Sequence, residues 1–187
     1  MKTEILLSFA MANHGAAFAN WLRDKLMKHY GLYHTEAVYV DSVVARANPA
    51  AQIKVDTRAH MRSPTGAMPI GAMLQNWNEL YKKAMSEAQV MLFVLTPEYR
   101  DSVWCMKEWG QMHMENGRRR RERKPPLRAV VLEFIPADSM AANAESNVVK
   151  VPVVKVGAVG EPLLWDRGDW CIPKPQLETV IAAIGPL

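Results

Sequence analysis

Trp104 and Glu108 stand four residues apart in the stretch Tyr99 to Gln111, a spacing that puts an indole and a carboxylate on one face of a helix. Asp101 or Ser102 can cap that helix at its amino end. A carboxylate placed this way can stabilise positive charge developing on a reacting carbon, while the ring stacks a flat group. The plainer reading is a helix with a core Trp and a surface Glu.

Several standard chemistries are excluded by what is missing. The glycines form neither G-x-G-x-x-G nor a phosphate-cradling loop, and no G-x-S-x-G elbow is present. Ser8 therefore reads as a hydrogen-bonding residue at a strand end rather than a nucleophile. Cys105 and Cys171 make no C-x-x-C pair, and the five histidines lack ligand spacing, so neither a metal nor any other cofactor is expected. One carboxylate departs from the paired carboxylates of ordinary glycoside hydrolysis. It suits an N-glycosidic bond whose leaving group departs neutral, as nicotinamide does from NAD+, because that step needs no general acid. NAD+ would then be the substrate.

The elements that must position these residues follow from hydrophobic periodicity. Ile5 to Phe9 is a short apolar run that reads as a buried strand, and Phe18, Trp21, Leu22 and Leu26 fall at helical spacing within Ala16 to Tyr30, closed by Gly31. Ala37 to Asp41 is a second strand. Ser42 to Met73, with three prolines and two glycines, reads as a long irregular connection of the kind that serves as a lid or contact loop. Leu74 to Ala88 is a helix, and Val90 to Leu95 is an unbroken apolar strand of the type buried on both faces. The helix carrying Glu108 is expected to run to Asn116-Gly117. Ala129 to Ile135 and Val148 to Val156 are further strands, the latter at an edge because of Pro152, and Pro175 to Ile184 is a last helix.

Strands alternating with helices imply an α/β fold, a five-stranded parallel sheet of flavodoxin-like order 2-1-3-4-5 with helices on both faces. Ligands bind such sheets at the carboxyl ends of the strands, where the order reverses between the first and third strands. Ser8 and Phe9, the start of the Asp41 loop, and Thr96 to Ser102 all fall at this edge.

A chain of 187 residues is read as one domain, residues 1–187, large enough to bury roughly 70% of its unfolded surface. The net charge of +4 is concentrated in Arg118 to Lys124, which reads as a solvated helix end or loop complementing the helix dipole. With no interleaved aromatics the run argues against a nucleic-acid partner. No stretch reaches the ~20 apolar residues of a membrane span. Glu4 and the break at Asn13-His14-Gly15 argue against a signal peptide, so a cytoplasmic protein with reduced thiols is expected.

Glu4 to Phe9, Val38 to Asp41, Leu80 to Leu95 and Tyr99 to Glu108 together resemble a TIR (Toll/interleukin-1 receptor) domain over residues 4 to 115. The likeness is strongest to the plant and bacterial branch, whose third motif reads S-x-W-C-x-x-E, here Ser102 to Glu108. The resemblance implies a flavodoxin-like fold, self-association through the loop after the second strand, and in many members NAD+ cleavage by the glutamate that falls on Glu108. It places Ser8 and Phe9 at the border of the nucleotide pocket and Asp41 at the start of the association loop. Ser102 and Trp104 belong to the motif and complete the expected substrate-binding set. It also implies immune or antiviral signalling and a downstream effector that reads the product. Two features depart from the family. Ala10 to Gly15 replaces the Arg-Gly-x-Asp-x-Arg run of plant members, and the loop after the second strand is longer than usual. A non-catalytic TIR interaction module and a nucleoside deoxyribosyltransferase-like enzyme remain as alternatives.

Overall fold

A computed structural model of the protein describes residues 2–40, 72–135, 148–152, 165–166, 169–170, 172 and 174–187. In chain order the elements are β1 (Ile5–Phe9), α1 (Gly15–Tyr30), β2 (Val38–Tyr39), α2 (Ala72–Glu87), β3 (Val90–Leu95), α3 (Pro97–Asp101), α4 (Val103–Arg121), β4 (Arg128–Glu133), β5 (Val148–Pro152), β6 (Trp165–Asp166), β7 (Asp169–Trp170) and α5 (Lys174–Ile184). Strands β1 to β5 form one sheet in the order β2-β1-β3-β4-β5, with every pairing parallel. This is the flavodoxin-like arrangement expected from the sequence.

The sheet is buried on both faces because each strand sends alternate residues to opposite sides. Leu6, Tyr39, Met91, Phe93, Leu95, Ala129 and Val131 pack against Tyr81, Ala84 and Met85 of α2 and Cys105, Trp109 and Met112 of α4. On the other side Ile5, Leu7, Val38, Leu92, Val94, Val130 and Leu132 meet Phe18, Leu22 and Leu26 of α1 and Val180 and Ile184 of α5. The Tyr30 phenol ties α1 to α5 by reaching the carbonyls of Ile181 (3.2 Å) and Gly185 (3.0 Å). Gly31 ends α1 in the left-handed conformation, φ 63°, where a residue without Cβ is unstrained.

Several boundaries differ from the expected ones. Strand β2 pairs through only Val38 and Tyr39, and β4 stops at Glu133 rather than Ile135. The region from Asp41 to Gly71, which holds the predicted contact loop, lies outside the described residues, as do residues 136–147 and 153–156. A short helix, α3, precedes α4 where one helix was expected, because both Thr96 and Ser102 act as amino caps.

Helix α4 also passes Asn116-Gly117 and takes in the first four residues of the basic block. Gly117 costs about 1 kcal/mol in a helix interior, but the charges around it offset that. Glu115 accepts from Arg118 at 2.7 Å and Arg119 at 2.8 Å, and Arg118 reaches Glu122 at 2.6 Å. Arg119 is nearly buried. It is 6% exposed and donates to the carbonyls of Met85, Ser86 and Ala88, the open end of α2.

The two-residue strands β6 and β7 pair antiparallel, Trp165 with Trp170 and Asp166 with Asp169. Such a short ladder shows no period-two pattern for sequence reading to find.

Candidate active site at the carboxyl edge of the sheet

Strands β1 and β3 are neighbours, Ser8 opposite Phe93, and the chain leaves them toward opposite faces of the sheet. After β1 it enters α1 on one face, and after β3 it enters α3 and α4 on the other. The two departures open a crevice at the carboxyl ends of the strands.

The turn after β1 is shaped by three residues. Asn13 (φ 47°) and His14 (φ 68°) are left-handed, a conformation Asn tolerates better than most residues. Gly15 starts α1 so close to the strand that a Cβ there would lie 1.7 Å from the Ala10 carbonyl oxygen. The Asn13 amide then donates to a Glu98 carboxylate oxygen, joining this turn to α3. Burial pushes the Glu98 carboxyl up, but the Asn13 hydrogen bond and those from its own backbone and Thr96 outweigh it and hold it below the ordinary range.

On the β3 side the Thr96 hydroxyl caps α3 by accepting from the Tyr99 amide at 3.3 Å. Pro97 sits in the first turn, where its missing N–H costs nothing. Ser102 caps α4 through the Cys105 amide, also at 3.3 Å. Of the two candidate caps, Asp101 and Ser102, it is Ser102 that takes the role, so its hydroxyl is engaged in positioning the helix.

Glu108 projects from α4 toward the end of β1. It is 9% exposed, and one carboxyl oxygen bonds with the Ser8 hydroxyl. Ser8 is also buried, its oxygen 2.7 Å from the Tyr99 phenol. Tyr99 in turn donates to the Cys105 carbonyl at 2.8 Å. Burial pushes the Tyr99 phenol well above its usual value of 10, and the Glu108 charge and the Cys105 thiol push the same way, outweighing the Ser8 hydrogen bond. Tyr99 therefore stays protonated. Its ring meets Phe93 edge-on at 6.3 Å, which fixes the phenol over the strand end.

The residues expected at the site do not all converge. Ser8 and Glu108 meet, joined by Tyr99, which sequence reasoning did not single out. Phe9 closes β1 but packs with the α1 face, one residue out of phase with Ser8. Trp104 is half-buried and lies under the Lys107 ammonium, 4.7 Å from its ring centre. Trp109 is the core indole of α4, 4.8 Å from Phe93. Asp41 falls outside the described residues. A signal for Tyr99 did exist: it stands three residues after a capping Thr and ends its own apolar neighbourhood, but its partner Ser8 is 91 residues away.

A cavity of about 430 Å³ lies at the opposite, amino edge of the sheet, lined by Ser86, Gln89, Arg119, Lys124, Pro125 and Arg128 among others. Its cations are already engaged, Arg119 with the α2 carbonyls, Lys124 with Glu122, and Arg128 with the Pro186 carbonyl. Size alone does not make it the reactive site.

With this geometry in view, the comparison with known families is informative. Residues 72–151 match the family model of the TIR domain. The matched segment is less than half of the chain; it is similar to a TIR domain, and the sheet it contributes to has the flavodoxin-like order. The matched segment runs from α2 into β5 and carries Tyr99, Ser102, Trp104 and Glu108, while Ser8 lies on β1 before it. No curated protein and no solved structure gave a significant match. Among the described residues no helix is long and apolar enough to cross a membrane, and no cluster of His, Cys, Asp or Glu could hold a metal ion.

Proposed function

We propose that this protein is a TIR domain protein of the plant and bacterial type and an NAD+ nucleosidase with Glu108 as its catalytic carboxylate. The observation that carries the reading is the placement of the Glu108 carboxylate against the end of β1, at the crevice where parallel sheets bind ligands. In the reaction the bond between ribose C1′ and the nicotinamide nitrogen breaks, its electron pair neutralising the pyridinium as it leaves. Glu108 stabilises the cationic ribose, an interaction strengthened by the low dielectric of a nearly buried site. Water, or a nucleophile within the same molecule, then forms the new bond at C1′ and gives up its proton. The products are nicotinamide and either ADP-ribose or a cyclic isomer.

Ser8 orients the carboxylate, and Phe9, Asp41 and Trp104 complete the proposed substrate-binding set. Ser102 contributes by anchoring the helix. The protein acts in the cytoplasm, in immune or antiviral signalling or NAD+ depletion, and self-assembly through TIR contacts activates it.

One observation favours a second reading, that of a non-catalytic interaction module. Glu108 is nearly buried and engaged by Ser8, which is also how a structural carboxyl behaves. To separate the two, concentrated protein is incubated with NAD+ and nicotinamide is followed by chromatography, with Glu108→Gln alongside. Release by the wild type and a loss of at least about 100-fold in the variant is expected, the scale of a lost charge-stabilising group. Self-association without release, or equal release from both, assigns Glu108 a structural role. Free base released from deoxynucleosides would instead indicate a transferase.

A further inference from the structure

The fold divides the basic block into cations that are engaged and cations that are not. Arg118 and Arg119 bond Glu115, Arg118 and Lys124 bond Glu122, and Arg119 also reaches the open end of α2. Arg120, Arg121 and Arg123 are exposed, and their guanidinium groups have no hydrogen-bond or ion-pair partner among the described residues. Helix α4 does not need them. Arg118 and Arg119 already complement its dipole, and the backbone satisfies its last carbonyls. The Lys124 amide donates to the Arg119 carbonyl at 2.9 Å and the Arg123 amide to the Arg120 carbonyl at 3.2 Å, the pairing that closes a helix on a left-handed residue. That residue is Arg123, φ 56°, at a position where glycine is the unstrained choice. Like charges so close in sequence also repel one another, so stability does not account for the three arginines.

We propose that Arg120, Arg121 and Arg123 form a docking patch for an acidic segment of a partner protein. A guanidinium fork pairs with a carboxylate through two parallel hydrogen bonds, and the unpaired forks at this helix end offer that to a run of Asp and Glu. Beside the patch lies the cleft of about 430 Å³, lined by Arg119 and Lys124 and walled by Ala88, Pro125 and Pro126. It seats an apolar side chain of the same segment, since Glu87 on its wall disfavours a carboxylate there. The segment belongs to another protein, because no two acidic residues of this chain are adjacent. A nucleic-acid strand fits less well: its phosphates call for cations along a track, and outside this block the chain is close to neutral. A membrane surface also fits less well. Among the described residues the exposed large hydrophobics, Met11, Tyr33, Val103, Met114 and Val149, all lie outside residues 118–126. The patch is independent of how Glu108 is read.

The test is fluorescence anisotropy of the full chain with a labelled peptide of glutamates flanking one leucine, with a single-stranded RNA and phosphatidylserine vesicles as competitors. The peptide should bind the wild type, and Arg120→Gln, Arg121→Gln and Arg123→Gly combined should weaken it at least about tenfold. Added salt should weaken it as well. Lys28→Gln, Lys150→Gln and Lys174→Gln combined remove the same charge from exposed places elsewhere and should leave the affinity within about twofold. Arg123→Gly alone should weaken binding while Tm is unchanged or raised, a split that a structural role does not give. Absence of peptide binding, equal loss from the lysine variant, or a lower Tm for Arg123→Gly overturns the proposal. RNA or vesicles that displace the peptide at lower concentration than unlabelled peptide does overturn it in favour of that partner. Sedimentation showing self-association that is lost with the three arginines assigns the patch to a second copy and overturns it too.

Discussion

Arg119→Met probes the least expected feature of α4, a guanidinium from a run of surface-like charges that is buried against another helix. The Nη2 group shares two hydrogens among the carbonyls of Met85 (2.8 Å), Ser86 (3.2 Å) and Ala88 (2.7 Å), and Nε reaches Glu115 at 2.8 Å. Methionine preserves most of the aliphatic stem, so the change isolates the polar contacts. A net hydrogen bond to a charged group contributes about 1.5–3 kcal/mol. Two such bonds to the end of α2 are lost, the Ser86 carbonyl can recover water, and Glu115 keeps Arg118. The loss should be about 3 kcal/mol. At about 2–4 °C per kcal/mol for a chain of this size, Tm should fall by roughly 6–12 °C. Arg120→Met, one residue further and exposed, should stay within about 0.5 kcal/mol of wild type. Thermal unfolding followed by circular dichroism, with urea titration for the free energies, reads both. Equal and small effects from the two substitutions would refute the argument, because they would mean the run behaves as one solvated face.

Two further substitutions probe stability elsewhere. Gly15→Ala should cost at least about 2 kcal/mol, the scale of a core clash that shifts backbone, since the added carbon would meet the Ala10 carbonyl at 1.7 Å; a urea midpoint equal to wild type would show that the turn after β1 yields freely. The Glu115 carboxyl is pushed up by burial, but hydrogen bonds from Arg118 and Arg119 together with their charges outweigh this and hold it below its usual 4.5. Because the folded value is the lower one, Glu115 contributes stability above about pH 4.5 that is lost as pH falls through the folded value. Glu115→Gln should therefore flatten the fall in Tm on acidification below pH 4.5, and an unchanged slope would contradict the linkage.

The architecture could be read from the chain because its signals are local. Val90 to Leu95 is an unbroken apolar run, Leu177, Val180, Ile181 and Ile184 form one stripe, and Gly31 stops a helix without reference to distant residues. Pro152 marked an edge strand, since a missing N–H is tolerated there, and β5 is the edge. Boundaries were less legible where charge decided them. The helix carrying Glu108 continues through Gly117 because Glu115, Arg118, Arg119 and Glu122 bond along it, and the burial of Arg119 depends on where α2 ends in space.

The sequence by itself determined the sheet order, the strand edge at which the chemistry is proposed, and Glu108 as the residue to test. Each follows from periodicity, spacing and topology rules that act over short stretches. Only the tertiary structure decided what Glu108 touches. Ser8 meets it because β1 and β3 pair in a register that sets Ser8 opposite Phe93, and Tyr99 joins them because Thr96 and Ser102 break the helix in two. Trp104, four residues before Glu108 on the same helix, also lies under the Lys107 ammonium. Helical spacing fixes which residues can be neighbours along one face, but the packing of that face against β1 and β3 selects the contacts that form.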